Sequence, residues 1–413
     1  MKLCGMVLIL ISLASGANED VPTLNVDEWL RGPERQDFSW TVEVSKPRLT
    51  LQQRFLVRVH ASINVNDLGD RALRHSVHFI VKIADAEKRW VPGQFHRADT
   101  MPPGTGNLAP LSFDAGIYLR PGSYTIATIA YDAALNQGNL RLQDLKVSGS
   151  RRDPLPELDR DLPNVEFIPE IPGPALMDIY EWNPFFMDAG WRLGGGKEWL
   201  PVKNRRNLCI DIVVNTAVNP DTEQHRLSPW AYNYRMNSSQ MMQVASVLSH
   251  LALRAGSVRV TVLDALRMKM IFDREDAGNF DWQHASKVVE DQDQATVDIG
   301  LLGLQKKTPG YLFDVFREIS TEAGGANAAG PPLKVVVVVS RELWFDEEAR
   351  VQPFVAQDSA ATKYFYFCVT EHEYVNDDIF KMLKPNKPRC IFLLDPLYFR
   401  KALASLIASL EKY

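Results

Sequence analysis

Residues 335–339 are five consecutive valines, inside the apolar run 333–339. β-branched residues at every position favour strand over helix. A strand apolar at both parities cannot have one wet face, so this run predicts a central parallel strand covered on both sides. Further short apolar runs lie at 208–214, 258–263, 364–369 and 390–394. Between them, 239–254, 281–292, 311–322, 376–383 and 397–413 repeat apolar residues at helical spacing. Strands alternating with helices predict a doubly wound α/β domain over 207–413. The step from 258–263 to 268–272 is too short for a helix, which predicts one antiparallel edge strand.

The front half has a different period. Between 47 and 149 strand-like runs recur, several alternating apolar and polar residues, as in Tyr124-Thr125-Ile126-Ala127-Thr128-Ile129. Pro102-Pro103-Gly104, Pro121-Gly122 and Asn136-Gln137-Gly138 punctuate them. The pattern predicts an antiparallel β-sandwich over 47–149, with 119–124 as a hairpin lead-in of the immunoglobulin-like kind. Residues 18–46 form a polar N-terminal segment. Residues 150–206 read as a Pro/Gly-rich linker, with six prolines between 151 and 174. Proline fixes φ and removes a donor, so this stretch is expected to be extended. Gly194-Gly195-Gly196 lacks the spacing of a phosphate loop and is expected to be a turn.

The first 17 residues have the form of an export signal. Lys2 precedes an apolar run over 3–13, and small residues follow to Ala17. That run is too short to span a bilayer, which needs about 20 apolar residues as a helix. No later segment is long enough either, so no membrane span is expected, and the mature chain is placed outside the cytoplasm, secreted or periplasmic. Lys and Arg number 46 against 51 Asp and Glu, a net charge of -5 with no basic stripe. Phosphate binding needs clustered cations, which argues against nucleic acid as a partner. Cys209, Cys368 and Cys390 each sit in an apolar run. They read as buried small hydrophobes, with a Cys368–Cys390 bridge left open.

Ligands of open α/β sheets gather at the carboxyl ends of the strands. There the chain has Val213-Val214-Asn215-Thr216-Ala217-Val218-Asn219-Pro220, then Lys307-Thr308-Pro309-Gly310-Tyr311-Leu312-Phe313-Asp314-Val315, then Val339-Ser340-Arg341-Glu342. With the element order β-α-β-β-α-α-β-α-β-α, these stretches resemble the von Willebrand factor type A family. A signal, a sandwich and a Pro-rich linker in front resemble secreted bacterial VWFA-related proteins of the acidobacterial type. The resemblance covers 205–413 and implies protein–protein adhesion through a Mg²⁺ site of the form D-x-S-x-S plus a Thr and a further carboxylate. Asn215 stands where that family has Asp, Ala217 and Asn219 stand where it has Ser, and Thr308 matches its Thr. Arg341 brings a cation where a carboxylate is usual. Hard cations need anionic oxygen ligands. The expectation is therefore a degenerate site, with no metal or other cofactor, on an exported non-enzymatic protein that binds an extracytoplasmic protein partner. The expected contact rim is Asn215, Thr216, Asn219, Thr308, Arg341 and Glu342.

Two alternatives stay open. Glu371, His372 and Glu373 lie at a strand end, where a histidine between carboxylates suits metal or general-base chemistry in a secreted hydrolase. Asp221 or Glu342 could instead restore metal binding as substitute ligands. Neither GxSxG nor HExxH occurs. His75 and His78, at i and i+3 of a strand, point to opposite faces and do not form one metal site. The acidic stretches 273–276 and 291–293 read as surface turns.

Overall fold

The computed structural model describes residues 26–68, 74–102, 110–149, 152–155, 158, 163–168, 200–217, 232–293, 305–321, 332–345, 350–356, 362–370, 376–393 and 395–413. The expected signal at 1–17, the glycines 194–196, Asn219, Asp221 and the cluster 371–373 lie outside them. Among the described residues no helix is long and apolar enough to cross a membrane.

The front half is an antiparallel sandwich. One sheet has the order β1 (Arg35–Gln36), β9 (Gln137–Val147), β8 (Gly122–Asp132), β5 (His75–Ala84), β6 (Phe95–Met101). The other runs β10 (Val165–Ile168), β7 (Leu111–Leu119), β4 (Phe55–Ile63), β2 (Trp40–Val44), with β3 (Arg48–Leu49) also paired to β4. Alternate residues build the core between them: Val57, Val59, Ala61 and Ile63 share a cluster with Val77, Phe79, Val81 and Ile83. This is the period-two signature of two facing sheets. The outer face of the first sheet also carries apolar residues. Ile80, Ala127 and Ile129 there are covered by Leu30 and by Trp29 of the short helix α1 (Val26–Trp29).

Three expectations need correcting. The sandwich overruns 47–149, since β1 and β2 precede it and β10 follows. The stretch 150–206 is therefore not all linker, because Val165–Ile168 pairs with β7 and β11 (Leu200–Val202) pairs with β13 (Leu251–Leu253). Residues 119–124 do not open a hairpin: β7 and β8 belong to different sheets, and Arg120-Pro121 crosses between them. Tyr124 ties that corner by donating its hydroxyl to the Arg120 carbonyl at 2.9 Å.

The second half is built on a six-stranded sheet of order β15 (Lys269–Asp276), β14 (Gly256–Asp264), β12 (Leu208–Asn215), β16 (Leu333–Arg341), β17 (Thr362–Val369), β18 (Arg389–Leu393). All neighbours are parallel except β15, which runs antiparallel to β14 at one edge. The valine run explains itself here. Val335, Val337 and Val339 pack with α2 (Tyr232–Ser249), α3 (Trp282–Asp293) and α6 (Pro396–Leu410). Val336 and Val338 pack on the other face with α4 (Thr308–Thr321) and α5 (Asp378–Leu383). The crossover from β16 to β17 shows no helix among its described residues; Leu343, Phe345 and Phe354 fill that side of the sheet instead. The helix expected to reach residue 254 stops at Ser249, and β13 follows it. Gly256 opens β14 at φ +137, where a Cβ would come within 2.0 Å of the Leu208 carbonyl oxygen. The acidic stretch 273–276 lies at the end of β15, and 291–293 closes α3, so neither is a turn.

The two halves meet at Arg400 of α6, which is 4% exposed. Its Nε and Nη2 donate to the two Asp153 carboxylate oxygens at 2.7 and 2.6 Å. Nη2 also reaches the Leu155 carbonyl at 3.0 Å, and Nη1 the Gln53 carbonyl at 3.4 Å. Gln53, in a left-handed turn at φ 65, donates back to the Pro396 carbonyl at 3.1 Å. Leu51 and Leu158 add apolar contact by joining the core beneath α6. Removing one partner of a buried ion pair strands the other charge. Asp153→Ala is therefore expected to lower the unfolding free energy by about 3–5 kcal/mol in urea titrations. The double change Asp153→Ala with Arg400→Met is expected to lose less than Asp153→Ala alone.

Candidate functional site

The carboxyl ends of β12, β14, β16 and β17 form a crown, and the Asn215 side chain sits at its centre, 1% exposed. Its Oδ1 accepts from the Ala217 and Ala265 backbone amides, both at 3.1 Å. Its Nδ2 donates to Ser340 Oγ at 3.0 Å, and Ser340 Oγ donates onward to the Arg341 carbonyl at 2.7 Å. One amide thus links the ends of β12 and β16 and the turn after β14. A carbonyl oxygen has two lone pairs, and two N–H donors occupy both. Thr216 is buried as well, its hydroxyl given to the Leu263 carbonyl at 3.2 Å. Thr308, at the start of α4, is fully buried, and its hydroxyl finds no hydrogen-bond partner among the described residues.

These donors do not fit a hard divalent cation. Asn215 offers no free oxygen, Ala217 offers none, and Ser340 is engaged on both sides. Among the described residues no group of three His, Cys, Asp or Glu side chains converges on a metal position. The expected contact rim also lies only partly at the surface. Asn215, Thr216 and Thr308 are buried, whereas Arg341 and Glu342 are half-buried and face outward in part. Glu342 accepts a short hydrogen bond from the Thr370 hydroxyl. The Arg341 amide points at Met241 Sδ of α2, 3.1 Å away.

Sequence reasoning missed three features. Trp344, 42% exposed, follows the end of β16, with Lys381 Nζ 5.0 Å from its ring centroid. An aromatic just beyond a strand end was the available signal. Asp377 is the second feature. It caps α5 by accepting from the Phe380 amide at 2.9 Å, and it also takes the Tyr366 hydroxyl at 2.7 Å and the Leu343 amide at 3.1 Å. Burial pushes its carboxyl up to about 6, still ionised at neutral pH, as three donors require. The third is a charge ladder at the opposite end of the sheet. Arg259 Nε donates to Asp211 at 2.7 Å, and Lys334 Nζ lies 3.7 Å from the other Asp211 oxygen. A single charge inside each of three apolar strands marked it in the sequence. It lies toward the amino ends of the parallel strands, so it braces the sheet away from the crown. Among the described residues Cys209, Cys368 and Cys390 are free thiols; burial raises Cys368 strongly and pushes Cys390 up to about 12.

No protein-family model and no curated protein sequence matches the chain. Among solved structures, it is similar to the putative ApaA protein from Bordetella pertussis over 28% of this chain and 96% of that one, at 15% identity and a TM-score of 0.19. A family 123 glycoside hydrolase from Clostridium perfringens overlaps 86% of this chain and 72% of its own, at 8% identity and a TM-score of 0.25. The Bacteroides uniformis β-glucuronidase overlaps 85% and 39%, at 8% identity and a TM-score of 0.21. Likenesses this low bear on neither fold nor function.

The sandwich carries its own titratable cluster. His75 Nδ1 lies 2.6 Å from buried Asp132. His78 Nδ1 lies 3.1 Å from His96 Nε2 on the neighbouring strand, and Ser76 Oγ is 3.3 Å from His78 Nε2. The two rings are parallel to 2° with centroids 5.4 Å apart, so they meet edge to edge rather than face to face. That contact is an N–H···N bond while at least one ring is neutral; two imidazolium rings would set like charges against each other. Burial lowers both pKa values; for His78 the charge of His96 lowers it further, against an opposing pull from Asp132. The sign follows from linkage. With folded values below the unfolded value near 6.5, the unfolded chain protonates first as pH falls. Stability from this pair is complete above about 6.5 and declines as pH drops through the folded values. Urea midpoints are expected to fall between pH 7 and pH 5.5, and His96→Gln, which keeps a hydrogen-bonding partner without a second titrating ring, to flatten that fall.

Proposed function

We propose that this chain is an exported, non-enzymatic protein-binding or scaffold protein. In this reading residues 1–17 direct export and an immunoglobulin-like sandwich leads. A doubly wound, type A-like α/β domain with a degenerate adhesion site follows. The observation that carries the reading is the bonding of Asn215. At the position where the resembled family places a metal-binding carboxylate, this chain has an amide whose oxygen and nitrogen are both consumed in holding the strand ends together. Helices on both faces of the sheet and its single antiparallel edge are in keeping with such a domain. The Tyr124 corner between the sheets is in keeping with an immunoglobulin-like sandwich. Partner contact then falls to Arg341, Glu342 and Trp344. Aromatic and arginine side chains of this kind carry binding energy at protein interfaces without a bridging ion.

Calorimetric titration of the purified full chain with Mg²⁺, Mn²⁺ and Ca²⁺ tests the reading, alongside the variant Asn215→Asp, Ala217→Ser, Asn219→Ser. The expected result is no saturable heat from the native chain and one-to-one binding by the variant. Saturable binding by the native chain would return metal-dependent adhesion in place of this proposal. Silence from both would remove the type A alignment on which it rests.

A further inference from the structure

The six-stranded sheet ends at β18, which pairs with β17 on one side and with no other strand among the described residues. A groove of about 450 Å³ runs between that open edge and α6. Consecutive β18 residues line it, so the strand backbone itself faces the groove. Ile391 belongs to the core cluster under α6, whereas Cys390 and Phe392 belong to the cluster on the opposite face. On the α6 side the wall is cationic. Arg389 reaches across to α6, donating to Ser409 Oγ at 2.6 Å and also to Ser405 Oγ. Lys401 Nζ rests 5.2 Å from the ring centroid of Tyr398, which is 42% exposed. Among the described residues neither cation has a carboxylate within salt-bridge distance. In a chain of net charge -5, this is a local exception.

We propose that the β18–α6 groove docks an acidic, extended segment of another protein, which adds to the sheet as a seventh strand. An open edge supplies backbone donors and acceptors that an extended chain satisfies, and alternate side chains then select the sequence. Side chains of the added strand on the α6 face would meet Arg389 and Lys401, which calls for Asp or Glu at alternate positions. Those on the other face would run beside Cys390 and Phe392, which calls for apolar residues between them. Five residues, Arg389–Leu393, set the length of the docking run. A second copy of this chain fits less well. Edge-to-edge pairing of two β18 strands would gather four cations along one seam, and like charges disfavour association. This surface is at the edge of the sheet, and the proposal stands whether or not the crown holds a metal or a partner.

The test is fluorescence anisotropy on the full chain with a labelled octapeptide of alternating Glu and Val, capped at both ends. Saturable binding is expected, weakening as salt screens the charges. Lys401→Glu, an exposed change, is expected to weaken it about tenfold, corresponding to about 1.4 kcal/mol. A Lys–Val peptide, and a Glu–Val peptide N-methylated at alternate amides so that it cannot join a strand edge, are expected not to bind. No saturable binding of the Glu–Val peptide would overturn the proposal and leave the cations as guards against edge-to-edge aggregation. Equal affinity of the N-methylated peptide would also overturn it, as would indifference to Lys401→Glu. A dimer in sedimentation that Lys401→Glu strengthens, by lifting the repulsion along the seam, would assign the edge to a second copy instead.

Discussion

The guanidinium of Arg400 is the constraint on which the arrangement of the two halves depends. It is buried, it is permanently charged, and its hydrogen-bond donors need acceptors. Asp153 and the Leu155 carbonyl come from the chain leaving the sandwich, and the Gln53 carbonyl comes from a turn at the sandwich's end. These groups must be in place together, or the charge is stranded in a dry interface. The left-handed conformation of Gln53 follows from the same demand, since it aims a carbonyl at Arg400 and a side-chain amide at Pro396.

Inside the second half, polar groups act as staples at the two ends of one sheet. The ladder of Arg259, Asp211 and Lys334 joins three strands near their amino ends. Asn215 and Ser340 join strands at the carboxyl ends, and Asp377 ties the loop after β16 to α5. Asn215 and Asp377 are each satisfied by several partners, which is what keeps a buried polar group from destabilising its surroundings. Among its described residues the crown is a hydrogen-bonded surface more than an open set of ligands. Thr308, whose buried hydroxyl has no hydrogen-bond partner among the described residues, is also the residue the type A resemblance retains.

Much of the architecture could be read along the chain. The five valines foretold a strand covered on both faces, because a single-residue period leaves no wet side. Alternation in 124–129 foretold a sandwich strand for a comparable reason. What failed to show was pairing between distant segments. Nothing local to Val165–Ile168 says that it pairs with β7, and nothing in Leu251–Leu253 names Leu200–Val202 as its partner. Pro121-Gly122 signals a change of direction but not whether the chain returns to the same sheet or crosses to the other. For the site, sequence spacing located the strand ends and Asn215 among them. Burial was invisible, so Asn215, Thr216 and Thr308 were expected at a surface that, of the described rim residues, only Arg341 and Glu342 reach in part. Trp344, which does reach it, follows no motif.

The path of the chain between the halves has a consequence for how such a protein can be rearranged. The chain leaves the sandwich after β9, touches α6 through Asp153 and Leu158, and then returns to the sandwich to lay down β10. The two units are therefore stitched rather than strung. A single cut near residue 150 would leave the first piece lacking its last strand, and the second carrying that strand without its sheet and lacking the Gln53 carbonyl that Arg400 meets. Recombination that swaps whole units between genes needs a crossover point where neither unit is interrupted. Here that point lies only after residue 168, so the sandwich would have to be inherited together with the segment that clasps its neighbour.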